Sequence, residues 1–258
     1  MSLHWNAEFT KRLRTHNDAA WGTITLNSPP PIGAYGTFDG NGEFHQYGVI
    51  DLKPDSVAVP AGNFESADSG VKTTENRASV SGSYTDPETG LTVTAGLEWA
   101  WDFTKSNTFL LQLPQVYSTK FDNPVVTMQS AEAQLVEAAN QVGWTNRDGT
   151  VKEGWCMIVE VIQIVAGFVT GAQSSNSSFK INGAVDAMSN LMAGDINAAY
   201  SNATSSDQNN MFTYLWPIDP LVNGNGGGST ISSEKVLGTV AVIAASFDHK
   251  DVVYPYKG

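Results

Sequence analysis

The run GWCMIVEVIQIVAGFVTGAQ, from Gly154 to Gln173, carries a single charged residue, Glu160. A stretch this apolar has three outlets: a membrane span, a buried helix or a buried strand. A span needs about 20 predominantly apolar residues. The run from Trp155 to Ala172 is shorter, and a carboxyl group at mid-membrane costs about 3 kcal/mol on insertion scales. A span at rest is therefore not expected. The abundance of Val and Ile argues for a strand, but strict alternation would send Glu160 and Gln163 to opposite faces. On a helix, Glu160, Gln163, Gly167, Gly171 and Ser174 step by three or four and make one narrow stripe. The spacing predicts a nearly surrounded central helix, with Gly167 and Gly171 permitting close backbone approach. Two fates follow for such a helix. It is plain core, or it is released from the fold under some condition to insert in a bilayer.

Elsewhere, strand signals dominate from Ala20 to Phe121. IGAYGTFDGNGEFHQYGVIDL places two half-polar runs around Asp39-Gly40-Asn41-Gly42, a turn rich in positive-φ residues, and predicts a hairpin. A second hairpin is expected in RASVSGSYTDPETGLTVTAGLEWAWDF, turning at Pro87 and Gly90. On its return arm Leu91, Val93, Ala95, Leu97, Trp99 and Trp101 alternate with Thr92, Thr94, Gly96, Glu98, Ala100 and Asp102. TFLLQLPQVY reads as a strand kinked or ended near Pro114. In TMQSAEAQLVEAANQVG the positions Met128, Ala131, Leu135, Ala138 and Val142 predict an amphipathic helix, capped by Thr127 and stopped by Gly143. Val185, Met188, Met192, Ile196 and Ala199 predict another, started by Asn182. SNATSSDQNN reads as a polar loop, MFTYLWPI as a strand ended by Pro217, NGNGGGS as a flexible segment, and VLGTVAVIAASF as a strand buried on both faces. The expected architecture is a single α+β domain over 1–258: strand-rich at 20–121, helical at 127–201, with terminal strands at 211–258. A largely antiparallel sheet of N-terminal hairpins and C-terminal strands would carry two or three central helices.

Composition removes several functions. The formal net charge is -12, and no basic stripe offsets it, so phosphate backbones are repelled and nucleic-acid binding is not expected. Lys11, Arg12 and Arg14 are too few to change that, and electrostatic capture by anionic lipid is disfavoured for the same reason. The one cysteine, Cys156, excludes an intrachain disulfide. Its default role is a small buried hydrophobe rather than a nucleophile. The segment MSLHWNAEFTKRLRTHNDAAWG has no run like a signal-peptide core. The expectation is a soluble chain made in the cytosol, or released or secreted by another route. The sequons at Asn176 and Asn202 carry no weight without a signal peptide.

Catalytic and metal signatures fail on inspection. His4, His16, His45 and His249 lack ligand-type spacing, so no metal and no cofactor is expected. Asp39, Asn41 and Glu43 match the opening of a calcium loop, but Phe44 and Ile50 stand where glycine and glutamate are required. The glycine run after Asn223 and Ser232-Ser233-Glu234-Lys235 have no partner motif. In LEWAWDF, Glu98 and Asp102 share a strand face about 13 Å apart, too far for a glycosidase pair at roughly 5–9.5 Å. Trp99 and Trp101 read as core.

Three function classes remain. The leading expectation is a membrane-active, pore-forming or cytolytic, toxin-like protein that inserts either the hairpin at 71–102 or helices within 156–200. Glu160, Gln163, Gly167 and Gly171 are its membrane or trigger candidates. The second is a lectin-like or protein-binding β-rich module, with Tyr254 and Tyr256 as ligand-contact candidates. The third is an enzyme without a recognisable motif, to which no catalytic residues are assigned. Expected partners are a membrane lipid or glycan receptor, with homo-oligomerisation on assembly.

Overall fold

The computed structural model describes residues 4–24, 29–77, 83–85, 92–94, 97–164, 167–181, 203–205, 210–216, 238–248 and 251–258. In chain order the elements are α1 (Trp5–Leu13), β1 (Trp21–Gly22), β2 (Ala34–Phe38), β3 (Phe44–Val49), β4 (Ser56–Ala67), β5 (Val71–Arg77), β6 (Ser83–Thr85), β7 (Thr92–Thr94), β8 (Leu97–Phe103) and β9 (Thr108–Lys120). They continue with α2 (Pro124–Ser130), α3 (Glu132–Gln141), β10 (Cys156–Ile164), β11 (Gly167–Ala172), β12 (Ser177–Ile181), β13 (Ala203–Ser205), β14 (Met211–Trp216), β15 (Gly238–Asp248) and β16 (Asp251–Val253). Strand accounts for 49% of the structure, so the antiparallel sheet dominates and the α+β description holds only coarsely.

The chain divides into two compact units. The first comprises Met1–Ala61, Tyr117–Gln163 and Thr239–Gly258. In it β1, β15, β10 and the end of β9 lie in that order, with β16 on β15, β2 on β10, β3 on β2 and the start of β4 on β9. The predicted hairpin is present as β2 and β3, from Ala34↔Val49 to Phe38↔Phe44. Asp39 makes its turn: Oδ1 accepts from the backbone N–H of Asn41 at 2.8 Å and Glu43 at 2.9 Å. A local turn thus accounts for the placement of the Asp39 carboxylate.

The apolar segment is the main correction. It forms the strands β10 and β11, not a helix. The strand objection, that Glu160 and Gln163 would face opposite ways, is answered by the neighbouring strand. Ser118 Oγ donates to Glu160 Oε1 at 2.7 Å, and the adjacent Thr119 Oγ1 donates to Gln163 Oε1 at 3.0 Å. Successive residues of β9 thus satisfy one polar group each. Both faces of β10 are otherwise buried, which erases the alternation that usually marks a strand. Met157 and Val159 pack with Met128, Leu135 and Ala245. Cys156, Ile158 and Val161 pack with Trp21, Phe44, Val242 and Ala244.

The helix predicted at 127–142 is two helices broken at Ala131. It starts earlier than expected because Asn123, not Thr127, is the cap: Asn123 Oδ1 accepts from the N–H of Val126, and Pro124 opens the first turn. Thr127 instead donates its hydroxyl to the Asn123 carbonyl. Gly143 ends the helix at φ +72°, as its position predicts. Helix α1, unanticipated, packs Phe9 and Leu13 in full burial. Strand β15 is buried as expected, with Val240 to Phe247 inside.

The second unit comprises Gly62–Val116 and Ile164–Gly238. Here β9 pairs with β11 and β11 with β14, while β13, β12, β8 and β5 form a four-stranded sheet and β6 pairs with β7. Pro114 does not end β9, because the register shared with β11 runs from Thr108 to Gln112, short of the proline. The polar loop expected at 201–210 contains β13, paired with β12 through Phe179↔Ser205. Trp101 is core, with Phe168 and Phe179 at 5.4 and 5.8 Å between ring centroids. The helix expected between Asn182 and Ser201, the turn at Pro87 and Gly90, the glycine run and Ser232–Lys235 lie outside the described residues.

Candidate functional site

Glu160 and Gln163 do not share a stripe. Each is half-buried at a strand position and engaged by a hydroxyl of β9. Thr119 extends its contact one step further, accepting from the backbone N–H of Ala58 at 3.0 Å. Ala58 stands at φ 49°, which alanine adopts at a cost. Gly167 and Gly171 belong to the second unit and act through strand packing. A Cβ on Gly167 would lie 2.7 Å from the Gln112 carbonyl oxygen. Gly171 stands in register between Phe109 on one side and Phe212 on the other. Both lie on a strand, not on a helix pair, and Gly167 is a close-approach glycine of the sheet.

Tyr254 and Tyr256 differ in setting. Tyr254 is 40% exposed. Its phenol is shifted to higher pKa by partial burial and then by the charge of Glu160, which places these two candidates in one neighbourhood. Tyr256 is docked. Its ring stacks with Trp21 at 6.0 Å and Phe38 at 6.3 Å, its carbonyl accepts from Trp21 Nε1, and Arg14 lies 4.3 Å over the Trp21 ring. Burial raises its phenol, with Cys156 and Glu153 adding to the shift. Lys257 pairs with Asp18. Burial also pushes the Cys156 thiol far up, so the thiolate is suppressed in the fold.

The second unit holds a different arrangement in the hairpin from Val71 to Phe103. At its base β5 and β8 run in register from Val71↔Phe103 to Arg77↔Leu97. In the separate pair of β6 and β7, Ser83↔Thr94, Tyr84↔Val93 and Thr85↔Thr92 are partners, so hydroxyl residues oppose hydroxyl residues and apolar opposes apolar. In sequence, Ala78-Ser79-Val80-Ser81-Gly82-Ser83-Tyr84-Thr85 carries one hydroxyl at every second place. At the base the pattern is broken by Glu75↔Trp99 and Arg77↔Leu97. β5 lies at the edge of its sheet.

Among the described residues no group of three or more His, Cys, Asp or Glu could hold a metal ion. Nor is any helix long and apolar enough to cross a membrane, a statement that does not bear on strands. No family model, curated protein or solved structure matches the chain.

Proposed function

We propose that this is a membrane-active protein that inserts the hairpin between Val71 and Phe103 into a target bilayer as two strands of an oligomeric β-barrel. The hairpin's two-residue pattern carries this reading. A barrel strand needs one face for lipid and one for water, at about 9–11 tilted residues per crossing. The arms from Ala78 to Thr85 and from Leu91 to Trp99 supply that alternation at close to that length. The segment around Glu160 is the weaker inserting candidate, because β10 lies between β15 and β9 and both its faces are buried.

The test uses single cysteines carrying a polarity-sensitive dye. Cys156, wholly buried, stays silent in the folded chain. Labels at Val80, Tyr84 and Val93 are expected to shift to apolar emission on liposomes, while labels at Ser81, Ser83 and Thr94 are not. Dye release should accompany the shift. No release from vesicles of varied composition, sterol and glycolipid included, or labels that respond without alternation, would sink the proposal.

A further inference from the structure

Three aromatic rings from separate stretches of the first unit meet at a fourth, Trp155. Tyr35 of β2 lies 5.7 Å from it between centroids, Tyr47 of β3 lies 5.3 Å away, and Trp144, after α3, lies 6.5 Å away. Trp155 is fully buried, whereas Tyr47 is 47% exposed and forms the outer member. The indole N–H groups of both Trp144 and Trp155 are buried with no hydrogen-bond partner. Buried indole donors ordinarily find an acceptor, and leaving two unpaired in one cluster costs stability that packing alone does not require. Aromatic faces beside unused donors suit a ligand that has both an apolar face and acceptor oxygens.

We propose that this cluster binds a neutral sugar ring, stacking its C–H face on the aromatic rings and accepting from the two indole N–H groups. Charge selects this class over the alternatives. The Lys152 ammonium already stands 5.9 Å from the Trp144 ring centre, so a quaternary ammonium ligand would be repelled. A net charge of -12 slows the approach of an anionic sugar, which Lys152 beside the cluster would otherwise attract. Tyr47, the exposed member, is the side chain that would have to turn aside for a sugar to reach Trp155. The sugar can belong to a glycolipid headgroup or to a soluble glycan. The site stands independently of the hairpin reading, to which it would add a receptor.

The experiment follows the indole signals of the full chain in a nitrogen-15 correlation spectrum, with the seven tryptophans assigned by Trp→Phe substitution. The probes are methyl glycosides of glucose, galactose, mannose and N-acetylglucosamine. Saturable shifts confined to the Trp144 and Trp155 indoles are expected with at least one probe. Trp144→Phe keeps a ring and removes a donor, and it should weaken that binding about tenfold with the fold intact. Vesicles carrying a neutral glycolipid that bind the protein, competed by the free glycoside, identify the lipid source. Binding of the free glycoside without vesicle recruitment identifies the soluble one. The absence of a shift with all four probes, or shifts only at other tryptophans, overturns the site. Sugar binding without dye release would leave the site standing and remove the membrane reading instead.

Discussion

Glu160 shows how a single residue misleads a periodicity argument. An acid in an apolar run is compatible with a strand once a neighbouring strand offers a hydroxyl, and Ser118, itself buried, does so at 2.7 Å. Ser118→Ala is expected to destabilise the fold by about 1–2 kcal/mol, because it takes a donor from a half-buried carboxylate. The urea midpoint measures it, with an unchanged slope showing that the unfolded state is not altered. The two late tyrosines predict a pH dependence. Their phenols hold the proton more tightly in the fold than in the open chain. That contribution is fully present below the ordinary tyrosine value near 10 and is lost as pH rises through the folded values. Stability should therefore fall on the alkaline side, and less steeply in Tyr256→Phe, as thermal midpoints across that range will show. Neither property was legible in the sequence, since the partners lie far along the chain: Ser118 for Glu160, and Trp21 and Phe38 for Tyr256.

Among the elements, legibility followed locality. The β2–β3 hairpin was readable because its turn is closed by its own residues, Asp39 accepting from Asn41 and Glu43. The end of α3 at Gly143 was readable for the same reason. The segment 154–173 was not. Between buried neighbours a strand loses its polar face, and residual steps of three or four then resemble a helix. Gly167 carries the distinction into a measurement. Gly167→Ala should cost about 1–3 kcal/mol, since its Cβ would strike the Gln112 carbonyl oxygen across the β11–β9 pair. On a helix the same substitution would raise helix propensity and stabilise. The direction of the change in unfolding midpoint therefore separates the two readings. The hairpin at 71–103 lies between these cases: its alternation was visible, while the changeover from mixed pairs at Arg77↔Leu97 to matched pairs at Tyr84↔Val93 is set by register.

At the scale of the molecule, pairing is predominantly non-local. Trp21 pairs with Val242, Met157 with Tyr35, and Thr170 with both Leu110 and Thr213. Each such pair closes a long loop before it is rewarded. Refolding is expected in the range of milliseconds to seconds or slower, not microseconds, as stopped-flow tryptophan fluorescence will measure. The far-ultraviolet circular dichroism should be that of a strand-dominated protein. By itself the sequence determined what local chemistry determines: the turn at Asp39, the stop at Gly143, and the exclusion of an intrachain disulfide by one cysteine. Tertiary structure alone decided that the apolar run is two strands and that its polar groups are satisfied from β9. It also decided that Tyr35, Tyr47 and Trp144 converge on Trp155. The physical reason is the same throughout. A turn or cap satisfies its hydrogen bonds within a few residues, whereas a buried strand or a ring cluster finds its partners wherever the sheet brings them.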